Sequence, residues 1–257
     1  MWKNIRIALL LFVLAAVAIH TWLDRIATQS WKEPLWVGIF PLNGDGTPKA
    51  QHYLEGLTVK DFSGIEDFFA REAHRYGVSI EQPVHTELYP QGLELPPALE
   101  RDAGLPGIVW WSLKVRWFAA HATEVPGRAP PRIRIFVLYH DPATLDHVPD
   151  SHGLQKGLIG IVHAFAETAM AGSNNIVIAH ELMHTLGASD KYALGSGAPL
   201  YPIGFAEPER QPRYPQLRAE IMAGRRALSE QDFEMPQGLR DVVVGPATAL
   251  EIRWTRP

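Results

Sequence analysis

The segment His180-Glu181-Leu182-Met183-His184 sets two imidazoles four residues apart, with a carboxylate directly after the first. On an α-helix four residues turn through about 400°, so His180 and His184 share one face, one turn apart. Two imidazoles so placed can both reach one tetrahedral zinc ion at about 2.0–2.1 Å. Glu181 then points beside the metal rather than at it, where a general base for a metal-bound water would sit. A buried helix carrying two merely hydrogen-bonded histidines is the bland alternative, and it gives no packing reason for a carboxylate between them.

Gly187 stands three residues after His184. A glycine there can take the left-handed conformation that closes a helix C-terminus. The chain can then double back, and Asp190 can become a third, oxygen ligand. Three protein ligands with one open position is the coordination of a catalytic zinc; a structural zinc is usually closed by four.

The pattern His180-Glu181-x-x-His184-x-x-Gly187-x-x-Asp190 resembles the metzincin clan of zinc endopeptidases. Its Asp form, with Tyr192 two residues later, is similar to the snapalysin-type branch. The resemblance runs from His180 to Gly224 and implies a methionine turn beneath the metal, for which Met222 in Glu220-Ile221-Met222-Ala223-Gly224 is the match. Many metzincins carry a tyrosine just after that turn; here Ala223 and Gly224 stand in its place, which leaves Tyr192 as the nearer candidate to assist the oxyanion. The resemblance also implies a substrate that adds as a strand to the edge of a sheet just before the active helix, here Leu158–Phe165. The implied activity is peptide-bond hydrolysis on protein or peptide substrates, with Zn2+ held by His180, His184 and Asp190 and with Glu181 and Tyr192 as catalytic residues. Two other readings stay open. A glutamate such as Glu207, Glu209 or Glu220 could replace Asp190 in the zinc shell, or the metal could stabilise a non-catalytic binding module tethered to a membrane.

The elements that would position these residues can be read from hydrophobic pattern. Ile176, Val177, Ile178, Ala179, Leu182, Met183 and Leu186 make the motif helix apolar nearly all round, so it should be buried, with Ser173 or Asn174 as its cap. Leu35–Leu42 reads as a buried strand ending in the turn Asn43-Gly44-Asp45-Gly46, where no second set of carboxylates comes after it to make a calcium loop. Ile65, Phe68, Phe69, Ala73 and Tyr76 fall on one face of a helix over Ile65–Tyr76. Ile108–Ala120, with three tryptophans, and Ile133–Tyr139 read as strands, and Glu81–Pro106 as an irregular connection. The polar stretch holding His140, Asp141, His147, Asp150 and His152 is a plain loop or a second cation site. Ala193–Leu217, broken by Gly and Pro, is expected to wall the cleft. A last helix, Pro246 to Trp254, has proline at its first position.

Composition bounds the remainder. The chain has 257 residues, 46% of them hydrophobic, which suffices for one sizeable core. A net charge of −4, without a basic patch interleaved with aromatics, argues against nucleic acid as a partner. There is no cysteine, hence no disulfide, thiolate ligand or cysteine nucleophile. Lys3 and Arg6 precede an uncharged apolar run from Ile7, which reads as a membrane anchor over Met1–Leu23; a cleaved signal peptide ending at Ala16-Val17-Ala18 is the rival. Either one exports the rest of the chain, to a membrane-bound or secreted position outside the cytoplasm. The expected organisation is a segment over residues 1–23, a linker over 24–34 and a metallopeptidase-like domain over 35–257. The expected fold class is α/β, of the α+β zincin type: a twisted mixed sheet, a buried active-site helix and a small C-terminal subdomain, preceded by one hydrophobic helix.

Overall fold

The computed structural model describes residues 26–90, 94–100, 102–125 and 129–256, together with residues 2, 4–7, 11, 12, 15 and 19. In chain order the elements that frame the site are β1 (Leu35–Asn43), α1 (Pro48–Gly56), α2 (Ser63–Arg75), β2 (Val84–Leu88), α3 (Leu105–Ala122), β3 (Ile133–His140), β4 (His152–Leu154), β5 (Ile159–Phe165) and α4 (Ala171–Thr185). They build an α/β fold around a five-stranded mixed sheet in the order β2-β1-β3-β5-β4. The pairs β2–β1, β1–β3 and β3–β5 are parallel, and β4 closes one edge antiparallel to β5, with His152 opposite Ile161.

Both faces of this sheet are covered, which explains why β1 reads as a near-continuous apolar run, whereas β3, whose alternation suggested one buried face, is buried on both. Val37, Ile39, Ile135 and Val137 point to one core, shared with Phe68 and Phe69 of α2 and Ile178 and Leu182 of α4. Phe40, Leu42, Phe136 and Leu138 point to the other, where Trp111, Val115 and Phe118 of α3 cover them. Smaller elements complete the chain: β6 (Ala219–Glu220), β7 (Arg226–Ala227), β8 (Phe233–Glu234), β9 (Val242–Val243) and α5 (Pro246–Glu251). They form two two-stranded sheets, β6 with β9 and β7 with β8.

Three expectations from the sequence are corrected. Ile108–Ala120 is not a strand but most of the 18-residue helix α3. Its buried residues Trp111, Val115, Phe118 and Ala119 have helical spacing, but the solvent side is apolar as well, which erases the periodicity that separates helix from strand. The irregular connection Glu81–Pro106 contains β2, an outer strand. Leu158–Phe165 is a strand, but not the edge: β4, three residues that begin at His152, the end of the polar His/Asp stretch, takes that place.

The anchor expected over Met1–Leu23 falls largely outside the described residues. Among the described residues, no helix is long and apolar enough to cross a membrane. Within the stretch read as a linker, Gln29 and Trp31 are buried. The Gln29 amide donates to the Leu186 carbonyl at the end of α4. Trp31 donates to the Ile252 carbonyl at 2.8 Å and packs edge-on against Trp254.

Candidate metal centre

Helix α4 carries the motif into the core. Ile178, Ala179, Leu182 and Met183 are fully buried, so the helix is held by packing rather than by its termini. It ends as its sequence dictates. Gly187 has φ of 97°, its N–H reaches the His184 carbonyl at 3.0 Å, and the Ala188 N–H reaches the Met183 carbonyl at 3.1 Å. This left-handed turn reverses the chain and brings Asp190 back over the helix.

Three donor atoms then converge. His180 Nε2 and His184 Nε2 are 3.1 Å apart, and each lies 3.2 Å from Asp190 Oδ1. Donors held at about 2.0–2.1 Å by a tetrahedral ion stand about 3.3 Å from one another, so the triangle has the size of one tetrahedral face. Both imidazoles are aimed from behind. His180 Nδ1 faces the Ile221 carbonyl at 2.9 Å and His184 Nδ1 the Ala188 carbonyl at 2.8 Å. A carbonyl accepts only from a protonated Nδ1, which leaves Nε2 as the free lone pair. Asp190 Oδ1 is buried without a well-formed hydrogen bond, as is Glu181 Oε2. Buried carboxylate oxygens are expensive unless something cationic faces them, and a metal ion beside the triangle meets that need. The ligand-capable atoms of His180, Glu181 and His184 all lie within 4.8 Å of one another; among the described residues this is the group able to hold a metal ion.

Charge is set by position. Burial lowers the basicity of His180, but its contact with the Asp190 carboxylate and the nearby Glu181 charge outweigh it and raise the imidazole above its ordinary value. Burial pushes Glu181 up, against the opposing pull of His180 and His184. For Asp190, burial acts upward, and its contacts with the two histidines hold the carboxyl well below the usual range.

Neighbouring segments fix the triangle. Asp190 is flanked by Ser189 and Lys191, and Glu251 of α5 pins both. Lys191 is 2% exposed; its Nζ donates to Glu251 at 2.8 Å and to the Ser189 carbonyl at 2.7 Å, while Glu251 also accepts from the Ser189 N–H and hydroxyl. The Lys191 N–H donates to the Met222 carbonyl at 2.9 Å. Met222 is itself fully buried in the turn whose Ile221 carbonyl faces His180. Glu220 shapes that turn: its carboxylate accepts from the Met222, Ala223 and Gly245 N–H groups and from the Thr248 hydroxyl. Glu220 is thereby fully engaged away from the triangle, and Glu207 is bonded to the Leu217 N–H. Neither stands where Asp190 does.

A cavity of about 780 Å³ opens over the triangle. One side is β4, in close contact with α4. A Cβ on Gly153 would come within 2.4 Å of His184 Cβ and 3.1 Å of Glu181 Oε2, so only glycine fits there. Ile108 and Trp111 of α3 line the same cavity, as do Ala223, Gly224 and Arg225. Tyr192 also lines the cavity, its ring 6.4 Å from that of His180, and burial together with the Asp190 and Glu181 charges raises its phenol. Of the Ala193–Leu217 segment, expected as a cleft wall, Gly197 reaches the lining.

Sequence reasoning thus brought His180, Glu181, His184, Asp190 and Tyr192 to one place, and the structure gathers them around one cavity. It missed β4 with Gly153, α3 as part of the lining, and the Lys191–Glu251 pin. A lysine followed by Tyr192 in a polar turn carries no local sign that it is buried. The second cation site weighed for His140, Asp141, His147, Asp150 and His152 does not form a ligand group among the described residues; His140 instead pairs with His163 at 2.9 Å. Compared with known proteins, the chain matches no family model and no curated protein.

Proposed function

We propose that the chain is a zinc-dependent endopeptidase, metzincin-like in its motif, acting outside the cytoplasm. The observation that carries this reading is the near-equilateral triangle of His180 Nε2, His184 Nε2 and Asp190 Oδ1, with the unpartnered Glu181 Oε2 beside it. Two nitrogens and one oxygen suit zinc, and three protein donors leave a coordination position open. When bound there, the ion supplies Lewis acidity toward a carbonyl oxygen and lowers the pKa of a bound water toward about 7.

The chain's own residues do the rest. His180, His184 and Asp190 hold the ion, and the Ile221 and Ala188 carbonyls keep both imidazoles in the tautomer that presents Nε2. Glu181 Oε2 takes the proton of the attacking water and releases it to the leaving amine nitrogen. Its buried position supports this role, because burial raises a carboxylate's affinity for a proton. Tyr192, from the cavity wall, keeps its hydroxyl proton and donates a hydrogen bond through it to the developing oxyanion. Met222 serves as an apolar floor and binds nothing. The short edge strand β4 offers its backbone to an extended peptide, which would lie antiparallel or parallel to it over Glu181.

The test is incubation of the zinc-loaded full chain with an unbiased peptide mixture. Internal cuts that vanish on chelation and return with zinc are expected. Zinc bound at one equivalent, with no peptide cut, would contradict a broad endopeptidase and favour a zinc-stabilised binding module.

A further inference from the structure

Helix α3 turns an apolar face to solvent. Val109, Trp110, Leu113 and Trp117 succeed one another at helical spacing, opposite the stripe that packs on the sheet. They are 61, 62, 49 and 68% exposed. A surface helix ordinarily places polar side chains on that side, and a contiguous exposed apolar patch marks a contact surface. The helix carries no Asp or Glu over its 18 residues. Its cations are Lys114, one turn from both Trp110 and Trp117, and Arg116, at the border of the two faces. Beside the stripe runs a groove of about 580 Å³ between α3 and Leu95 and Pro97, with Glu94 as the acid on its lining.

We propose that this face of α3 is seated in the interface of a lipid bilayer with anionic headgroups. Three features favour lipid over a protein partner. Tryptophan joins an apolar body to a single N–H, the combination suited to the boundary between acyl chains and headgroups. Basic residues without carboxylates on the helix complement anionic headgroups. The sequence also supplies a means of holding the protein at a bilayer: the uncharged run after Lys3 and Arg6, read as an anchor. The inference rests on that anchor reading but not on peptidase activity. Its consequence for the cleft does rest on that activity. Ile108 and Trp111 line the cavity from the same helix, so a seated α3 holds the cleft mouth at the membrane surface. Its substrates would then be extracytoplasmic chain segments close to the bilayer.

The absence of cysteine makes the test direct, because any introduced cysteine is unique. Full-length Trp110→Cys and Trp117→Cys would be labelled with an environment-sensitive dye in mixed phosphatidylcholine and phosphatidylglycerol vesicles carrying a lipid-borne quencher. Labels at His52→Cys, on the exposed surface of α1, and at Phe12→Cys, in the leading segment, serve as references. The expected result is blue-shifted emission at 110 and 117, quenched several-fold more strongly than at 52. Emission at 110 and 117 like that at 52, with position 12 quenched, would overturn the seating while leaving the anchor intact. Blue-shifted emission without lipid quenching would also overturn it, in favour of a second copy or another protein segment on this face. An unquenched position 12 would overturn it as well, because the seating rests on the anchor.

Discussion

Among the described residues, two pairs of histidines bring ring nitrogens similarly close, yet they differ in what surrounds them. His180 and His184 bring ring nitrogens to 3.1 Å; His140 and His163 bring theirs to 2.9 Å. The first pair meets at one face of a helix, has each Nδ1 tied to a carbonyl, and shares a carboxylate oxygen at 3.2 Å from both. The second pair stacks between neighbouring strands, with rings 24° apart, and His140 Nδ1 is buried with no partner. Burial lowers the basicity of His180 and of His163 alike, but only His180 has carboxylates near enough to reverse it. His180 ends above its ordinary value, whereas His163, lowered by burial and by the neighbouring His140 and His152, falls to about 4. Proximity of imidazoles therefore does not define a metal centre. What does is a third, anionic donor and a fixed tautomer.

The sharpest division should come from metal content. Asp190→Ala removes one direct donor, so the loss of zinc affinity should exceed the 10–100-fold typical of losing an outer partner. His163→Asn should leave zinc binding unchanged. Zinc titration against a chromophoric chelator reads both. Equal affinity in Asp190→Ala and the parent would erase the proposed difference between the pairs.

A weaker effect is expected one residue further out. Lys191→Met keeps the volume of a 2% exposed side chain but releases the turn that carries Asp190 from Glu251. Zinc affinity should fall by about 10–100-fold, while turnover per bound zinc stays near that of the parent. Unchanged affinity would show that Asp190 is held without the pin.

The second pair should reveal itself in pH dependence. His163 binds its proton near pH 4 in the folded chain but near 6.5 when unfolded. The unfolded state thus binds more protons between those values, so stability is full above about pH 6.5 and declines as pH falls toward 4. Thermal unfolding of His163→Asn should show a shallower decline over this window. An identical slope would mean that His163 is not the group responsible.

How much of this was legible depends on the range of the interaction. His180, Glu181 and His184 are set by a single helical turn, and Gly187 by the need to end it, so four residues and their geometry emerge from local sequence. Asp190 joins them once the chain must reverse. β1 announced itself as a long apolar run and β3 as an alternating one, though both of its faces are buried. By contrast, α3 is apolar on its buried and its exposed side, so no period distinguished it from a strand. β4 has three residues and works through its backbone, with Gly153 present only because His184 leaves no room for a Cβ. Lys191 and Glu251 are sixty positions apart, and nothing near either one names the other.

The central claim is that Glu181 moves the proton and the triangle holds the metal, two tasks done by adjacent residues. Peptide cleavage and zinc content, measured on the same samples of the full chain and of Glu181→Gln, separate them. The account predicts one zinc in both and cleavage reduced by about 10²–10⁴-fold in the variant. Cleavage at the parent rate in Glu181→Gln, or a parent chain that binds no zinc, would contradict it.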